Sequence, residues 1–596
     1  MIYQNKNRRR LQAQAVTDLD VADALFAVES SGVADILEEH LDKRRGRPRL
    51  HSWKSILTLL VLSALRQGGD VHVVHALYVW WGLTDAQKER LGITREVKHS
   101  TLDYYLNTLA DATQERVDKK TGEITMPLLP YTIEYLTNRL YRAVADVVTE
   151  TTDQAIDSMP VFTFARRRGY KKDLAPMDEF VDYGELNRTV NARRRASEQG
   201  FPIDHGNGDY QPSLDPDARD TFVGAKNLAP ATIQVGFDLH LSCDVASLGC
   251  ESVPQIPRGF VLRPGNARKD DALLTLVDAM QELDSPIDMA LIDRGYSQIP
   301  NVADDLGQRG IDQTIKLKED QMGPGDKSIP DIIVVDGMPY VSWMPRRLHK
   351  LPPYTLDMTA EEKVALMARY DERIPYQFTR KGDPDLKRGT QQYRGPAVTG
   401  KVGCANTPGG MRKRRAINCP SVAEFEAGRT PKPCACGTQP TLGPNADRNI
   451  RQPFPFGSTK WFASYSRRSA IEGNNANLTT QFSNLGARKS IRVTRSIAKR
   501  TWLTCFGLIG AVVRLIRSRY EISPSEVPPG ERLHTPVPKQ RRFTSDGELK
   551  KALHERVFKN RKPRSKKHAR PKGEPPNTPT RAPRWLRTLR GDNTED

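Results

Sequence analysis

The sequence predicts an α/β fold, and three observations carry that reading. Ile233, Val235, Phe237, Leu239, Leu241 and Cys243 alternate with Gln234, Gly236, Asp238, His240 and Ser242, the period of a strand with one buried face. Met289 to Ile292 is apolar at every position, as in a central strand covered on both faces. Asp293 follows at its carboxyl end, where open α/β sheets build their sites. Between these strands, residues from about Asp270 to Leu283 read as a helix.

Taken in order, the chain opens on a polar stretch. Lys43-Arg-Arg-Gly-Arg-Pro-Arg49 follows, and within it Arg45 and Arg47 flank a glycine in the manner of an AT-hook, which lies extended in a narrow minor groove. A solvated charged linker fits the same residues. From Trp53 to about Ala110 a small helical bundle is expected: Ile56 to Leu65, then Val73 to Trp81, then a helix opening at Ser100 with Asp103 as a capping-box partner. Leu102, Leu106 and Leu109 give that last helix a buried stripe, and Thr101 and Tyr104 face outward, so it could enter a major groove. Pro127 to about Val148 reads as a further amphipathic helix. Gln154 to Phe164 is β-prone, with Asp157 embedded among apolar residues where a carboxylate is expensive. Asp153, four residues earlier, lies in a polar stretch where a cap or turn satisfies it.

The 179 positions between Asp293 and Glu472 exceed what a compact α/β domain needs, so an inserted subdomain is expected, with strands at Ile332 to Asp336 and Tyr393 to Val402. Ser496 to Ile516 reads as a long closing helix. Beyond Glu521, Pro and Lys/Arg replace apolar residues, and disorder is expected. The formal charge of +19 points to a polyanionic partner. Residues 536–590 hold 18 Lys/Arg against 4 Asp/Glu, so +14 of that charge sits in the tail, suited to salt-sensitive, sequence-independent DNA affinity.

One segment concentrates chemistry. Tyr465, Arg468 and Glu472 are spaced three and then four residues apart, which puts a ring, a cation and a carboxylate on one helix face. A surface helix with an Arg/Glu pair gives the same spacing. Tyr-x2-Arg-x3-Glu resembles the signature of bacterial DDE insertion-sequence transposases. The run-up Gln452-Pro-Phe-Pro-Phe-Gly-Ser458 with Trp461, and Asp215-Pro-Asp-Ala-Arg219 ahead of the alternating strand, are also similar to that family. The family's lysine seven residues past the glutamate is replaced here by Thr479, with Arg488 or Lys489 as substitutes.

The resemblance implies a ribonuclease-H-like mixed sheet with helices, interrupted by the insertion. It also implies a catalytic set of Asp157, Asp293 and Glu472 holding two Mg²⁺ or Mn²⁺ ions. Tyr465, Arg468 and Arg467 would bind DNA. The expected activity is metal-dependent cleavage at the ends of a mobile element and transfer of the 3′-hydroxyl to target DNA. The partner is then double-stranded DNA, and the active complex a homodimer. A ribonuclease-H-fold nuclease without strand transfer, and a domesticated DNA-binding protein without activity, are the alternatives.

The expected layout is a helical DNA-binding domain over 1–120, catalytic parts over 121–310 and 456–520, the insertion over 311–455, and the basic tail over 521–596. Cys404, Cys419, Cys434 and Cys436 could form a Cys₄ zinc site within the insertion, although their spacing is not that of a standard knuckle. Seven scattered cysteines and a start without an apolar leader lead to an expected cytoplasmic, nucleoid-associated protein. The longest apolar runs, Ile56 to Leu65 and Phe506 to Val513, are shorter than the roughly 20 residues of a membrane span and read as buried helices.

Overall fold

The computed structural model describes residues 16–534 except 43–48, 67–70, 118–120, 165–202, 205–209, 212–214, 216, 224–231, 249–252, 254, 266, 286, 298, 300, 326–328, 356, 386, 413–414, 444–445, 447, 489 and 492–495. Arg45, Arg47, Lys489 and the basic tail beyond residue 534 therefore lie outside the described residues.

A mixed sheet organises the molecule. We label its strands β1 (Asp153–Phe162), β2 (Thr232–Asp244), β3 (Pro257–Pro264), β4 (Met289–Ile292) and β5 (Asp312–Ile315). Their spatial order is β3-β2-β1-β4-β5. The β1–β2 and β2–β3 pairs are antiparallel, while β1–β4 and β4–β5 are parallel. A further strand, Arg219–Val223, pairs with the first residues of β2.

The alternation in β2 led to an expectation of one buried face, and the structure corrects it. His240, Ser242 and Asp244 are as buried as the apolar residues between them. Each is satisfied internally: His240 Nδ1 by the Tyr296 hydroxyl at 2.9 Å, Ser242 by Gln154 at 3.0 Å, and Asp244 by Arg258 at 2.6 Å. A polar face that is fully hydrogen-bonded can be packed over, which periodicity alone does not reveal.

The insertion expected to begin at 311 begins later, because Asp312–Ile315 is the edge strand of the main sheet. Its own small core gathers Ile332–Val335, the antiparallel Met338–Val341, Tyr393 and three of the cysteines. Of the strand expected over Tyr393 to Val402, only Gln391–Arg394 forms, and turns follow.

Before the sheet come helices Asp18–Ser31, Val33–Leu41, Trp53–Arg66, Val73–Gly82, Asp85–Arg90 and His99–Ala112. The first two fall in the stretch read as a polar start. Thr17 caps the first through a capping box with Asp20, and Val21, Ala24, Leu25 and Val28 form its buried stripe. The capping box expected at Ser100 is absent: the helix starts at His99, whose ring pairs with Asp103 at 2.7 Å. Leu102, Leu106 and Leu109 are buried, and Tyr104 is exposed.

Helix Ile497–Tyr520 runs through the centre, packed against Trp53–Arg66, His99–Ala112, Ile133–Ala145 and β3. By length and composition it could cross a membrane, yet 83% of its most apolar window is buried inside the fold. One continuous apolar cluster joins it to the N-terminal helices and to Phe237, Leu239 and Leu241 of β2. That core spans the boundary expected near residue 120.

The Asp-Pro-Asp stretch locks this helix in place. Asp215 is buried against Arg500 at 2.7 Å, and the Asp217 carboxylate accepts the Ile497 amide at 2.8 Å at the helix start.

Candidate active site

The strand register brings two acids together. β1 and β4 pair in parallel as far as Ile156 beside Ile292, so Asp157 and Asp293 come next on neighbouring strands. Adjacent strands lie about 4.8 Å apart. Alternation places Asp157 on the face of Ala155 and Met159, and Asp293 on the face of Leu291. All three apolar residues belong to the same core cluster. Helix Ser469–Ala476 packs on β1 and β2, its Ile471 in that cluster.

The run carrying Tyr465, Arg468 and Glu472 is two helices, Thr459–Ser466 and Ser469–Ala476. Arg468 at the junction keeps helical dihedrals, φ −54° and ψ −23°, so the shared face survives the break. Its guanidinium donates to Asp157 at 3.0 Å and to Glu472 at 2.8 Å, spanning the two carboxylates, and stands 5.8 Å over the Tyr465 ring. Tyr465 stacks on Trp461, with ring centroids 5.0 Å apart. Trp461 is fixed in turn by hydrogen bonds from Nε1 to the Ile315 carbonyl at 3.1 Å and to Gln452 at 3.0 Å.

The electrostatics are those of crowded acids beneath the Arg468 cation. Burial pushes the Asp157 carboxyl above its ordinary range, Arg468 pulls it back, and the charge of Asp293 raises it again. Burial also drives the Tyr465 hydroxyl up to about 12. For Arg468, burial favours loss of its proton. Tyr465, Asp157, Asp293 and Glu472 together outweigh that effect and hold it firmly charged.

Arg467 is corrected. Expected to contact DNA, it is 8% exposed, and its guanidinium is held inside the fold by the Asp153 carboxylate, the Ala246 carbonyl and Ser464. Asp153 is thus the anchor of a buried pair, and Asp157 the acid beside Asp293. At the position where the resemblance expects lysine, the Thr479 hydroxyl bonds the Asn475 carbonyl at 2.8 Å within its own helical turn. Arg488 bonds the Thr163 carbonyl at 3.3 Å.

Sequence reasoning missed Lys269. It begins the helix Lys269–Gln281, its ammonium 3.4 Å from the Ser158 hydroxyl and 5.3 Å from the Tyr296 ring centre, and it helps to hold Asp157 ionised. The available signal was weak: a basic pair, Arg268-Lys269, opening a helix where acids are usual.

Asp157, Asp293 and Glu472 offer hard oxygen donors suited to a divalent cation. Asp157, midway along β1, and Asp293, just past the end of β4, sit side by side, and burial together with Asp293 disfavours ionisation of Asp157, a cost that a bound cation offsets. The four cysteines form a separate group whose sulfurs all lie within 4.8 Å of one another, a set that could hold a metal ion. A scan of the chain against protein-family models finds no match, and a search of curated proteins finds none either.

Proposed function

We propose that this chain is a DDE transposase that cleaves DNA at the ends of a mobile element and joins the freed 3′-hydroxyl to target DNA. The observation that carries this reading is that Arg468 bonds both Asp157 and Glu472 and is held charged by Asp293 as well, so that three acids distant in sequence share one cation. The strand order β3-β2-β1-β4-β5, with β2 antiparallel to β1, is in keeping with a ribonuclease-H-like domain.

Asp157, Asp293 and Glu472 would hold two Mg²⁺ or Mn²⁺ ions, which supply activation of the attacking oxygen and stabilisation of the departing one in an in-line displacement. The protein residues do the rest. Asp157 within β1 and Asp293 directly after the paired strand β4 are held in a relation set by the sheet register. Glu472, half-exposed on its helix and tied to Arg468, would complete the set from the solvent side. Arg468, held over the Tyr465 ring, offers a forked donor to a phosphate of the terminal strand when that strand displaces one of its carboxylate bonds. Tyr465, backed by Trp461, stays protonated at neutral pH and offers its hydroxyl beside it.

The test is cleavage of linear DNA carrying the flanking ends of the element with Mg²⁺, by wild type and by Asp293→Asn. Wild type is expected to release the ends and the variant to leave them intact while still binding the DNA. A pre-cut 3′ end should then be joined to target DNA. Cleavage without joining would favour a nuclease, and equal cleavage by both proteins would remove Asp293 from the site.

A further inference from the structure

We infer that Cys404, Cys419, Cys434 and Cys436 form a closed structural zinc site that cross-links the inserted subdomain. The four cysteines fall in one 33-residue stretch. Their sulfurs lie within 4.8 Å of one another, with Cys404 and Cys434 3.4 Å apart. Four sulfurs bound tetrahedrally at about 2.3 Å from zinc stand about 3.8 Å from each other, so the cluster has the size of an S₄ site. Cys404, Cys419 and Cys436 are buried and Cys434 is half-buried, which leaves no open position for a substrate.

The surroundings suit thiolates. Trp343 Nε1 donates to the Cys436 sulfur at 3.2 Å, and Asn406 Nδ2 to Cys434 at 3.5 Å, while the Ser421 hydroxyl stands 3.5 Å from Cys404. Such donors orient metal-bound sulfur and spread its charge. The backbone brings each sulfur inward through a tight turn. Cys419 precedes helix Pro420–Glu426 and Cys434 precedes the turn Ala435–Gly437, while Gly403 and Cys419 are bonded across at 2.8 Å. Gly395 permits the closest approach, since a Cβ there would lie 2.1 Å from the Cys436 carbonyl oxygen.

The subdomain has reason to need a cross-link. Between Val402 and Leu442 the described chain is mostly turns with one seven-residue helix, and the apolar cluster it joins is small. A short, turn-rich segment with little core is the setting in which metal binding supplies folding free energy. Tetrahedral S₄ donors select zinc or iron, and the inference is zinc.

The full-length protein, purified without chelator, should contain one zinc per chain by inductively coupled plasma mass spectrometry. The Cys434→Ser/Cys436→Ser variant should contain far less. Removing zinc from wild type with a chelator should speed tryptic cleavage after Arg412 and Arg415, in the loop between Cys404 and Cys419, while leaving the rate of cleavage within residues 536–596 unchanged. Adding zinc back should restore protection. Wild-type protein that holds no zinc, holds iron instead, or shows these cysteines paired as disulfides by peptide mass mapping would overturn the inference. So would tryptic cleavage of the loop that is indifferent to the chelator.

Discussion

Replacing Arg468 with methionine removes the cation between Asp157 and Glu472 while retaining an apolar stem. The two halves of the bridge are unequal. Side-chain exposure is 13% for Arg468 and 19% for Asp157, but 56% for Glu472. The Glu472 half is a screened pair one helical turn apart, contributing about 0.3–0.5 kcal/mol. Breaking a buried pair costs about 3–5 kcal/mol, and this partly exposed one should fall near the lower end, ~3 kcal/mol at pH 7.

The loss also has a sign in pH. The Asp157 carboxyl is raised above its ordinary 3.8, and without Arg468 it rises further. A carboxyl raised on folding contributes stability that is fully present below the unfolded value and lost as pH climbs through the folded one. Wild type and Arg468→Met should therefore converge in acid, and their difference should open as the pH passes the raised wild-type value. Mg²⁺ should stabilise Arg468→Met more than wild type, because it replaces the missing positive charge. Arg468→Met/Asp157→Asn should regain most of the loss and lose the response to Mg²⁺. Urea unfolding followed by tryptophan fluorescence, across pH and with or without Mg²⁺, measures all of this. A deficit independent of pH and Mg²⁺ would refute the claim that these carboxylates form a cation-binding group.

Two further expectations follow from neighbouring residues. Asp153→Asn leaves the buried Arg467 guanidinium without its anion and should cost about 3–5 kcal/mol, with cleavage per folded molecule preserved. Asp157→Asn should do the reverse, and paired unfolding and cleavage assays that showed the opposite assignment would exchange the two roles. His240, wholly buried, has its pKa lowered by burial from 6.5 to about 3, so it is neutral in the fold. Its contribution is present above pH 6.5 and lost as the pH falls from there toward 3. His240→Gln should therefore flatten the acid limb of stability measured by thermal melting, and an unchanged limb would contradict this.

Much of the sheet was legible because its signals are local. The alternation of Ile233 to Cys243 and the apolar run Met289 to Ile292 each lie within one strand, and both strands form there. Asp312–Ile315 was missed because Asp-Gln-Thr-Ile shows neither alternation nor an apolar run. Its Gln313 is satisfied by the carbonyls of Asn449 and Arg451 at 3.0 Å, partners far along the chain. The fate of Arg467 was hidden for a similar reason. Nothing near it in sequence announces the Asp153 carboxylate, 314 positions away. Arg468 and Glu472 were readable because a pair one helical turn apart is specified by spacing alone. The cysteine cluster was only half readable, since intervals along the chain do not disclose turns that fold four sulfurs onto one point.

The central helix Ile497–Tyr520 has a consequence for biogenesis. It fills the middle of the largest core, yet it leaves the ribosome after nearly five hundred other residues. At about 5–20 residues per second, the early helices wait on the order of half a minute or longer with their apolar sides uncovered. A nascent chain stopped short of residue 497 lacks the piece that the bundle and the sheet both close around. Such truncated products should be recovered with chaperones or as aggregates, never as a compact fragment.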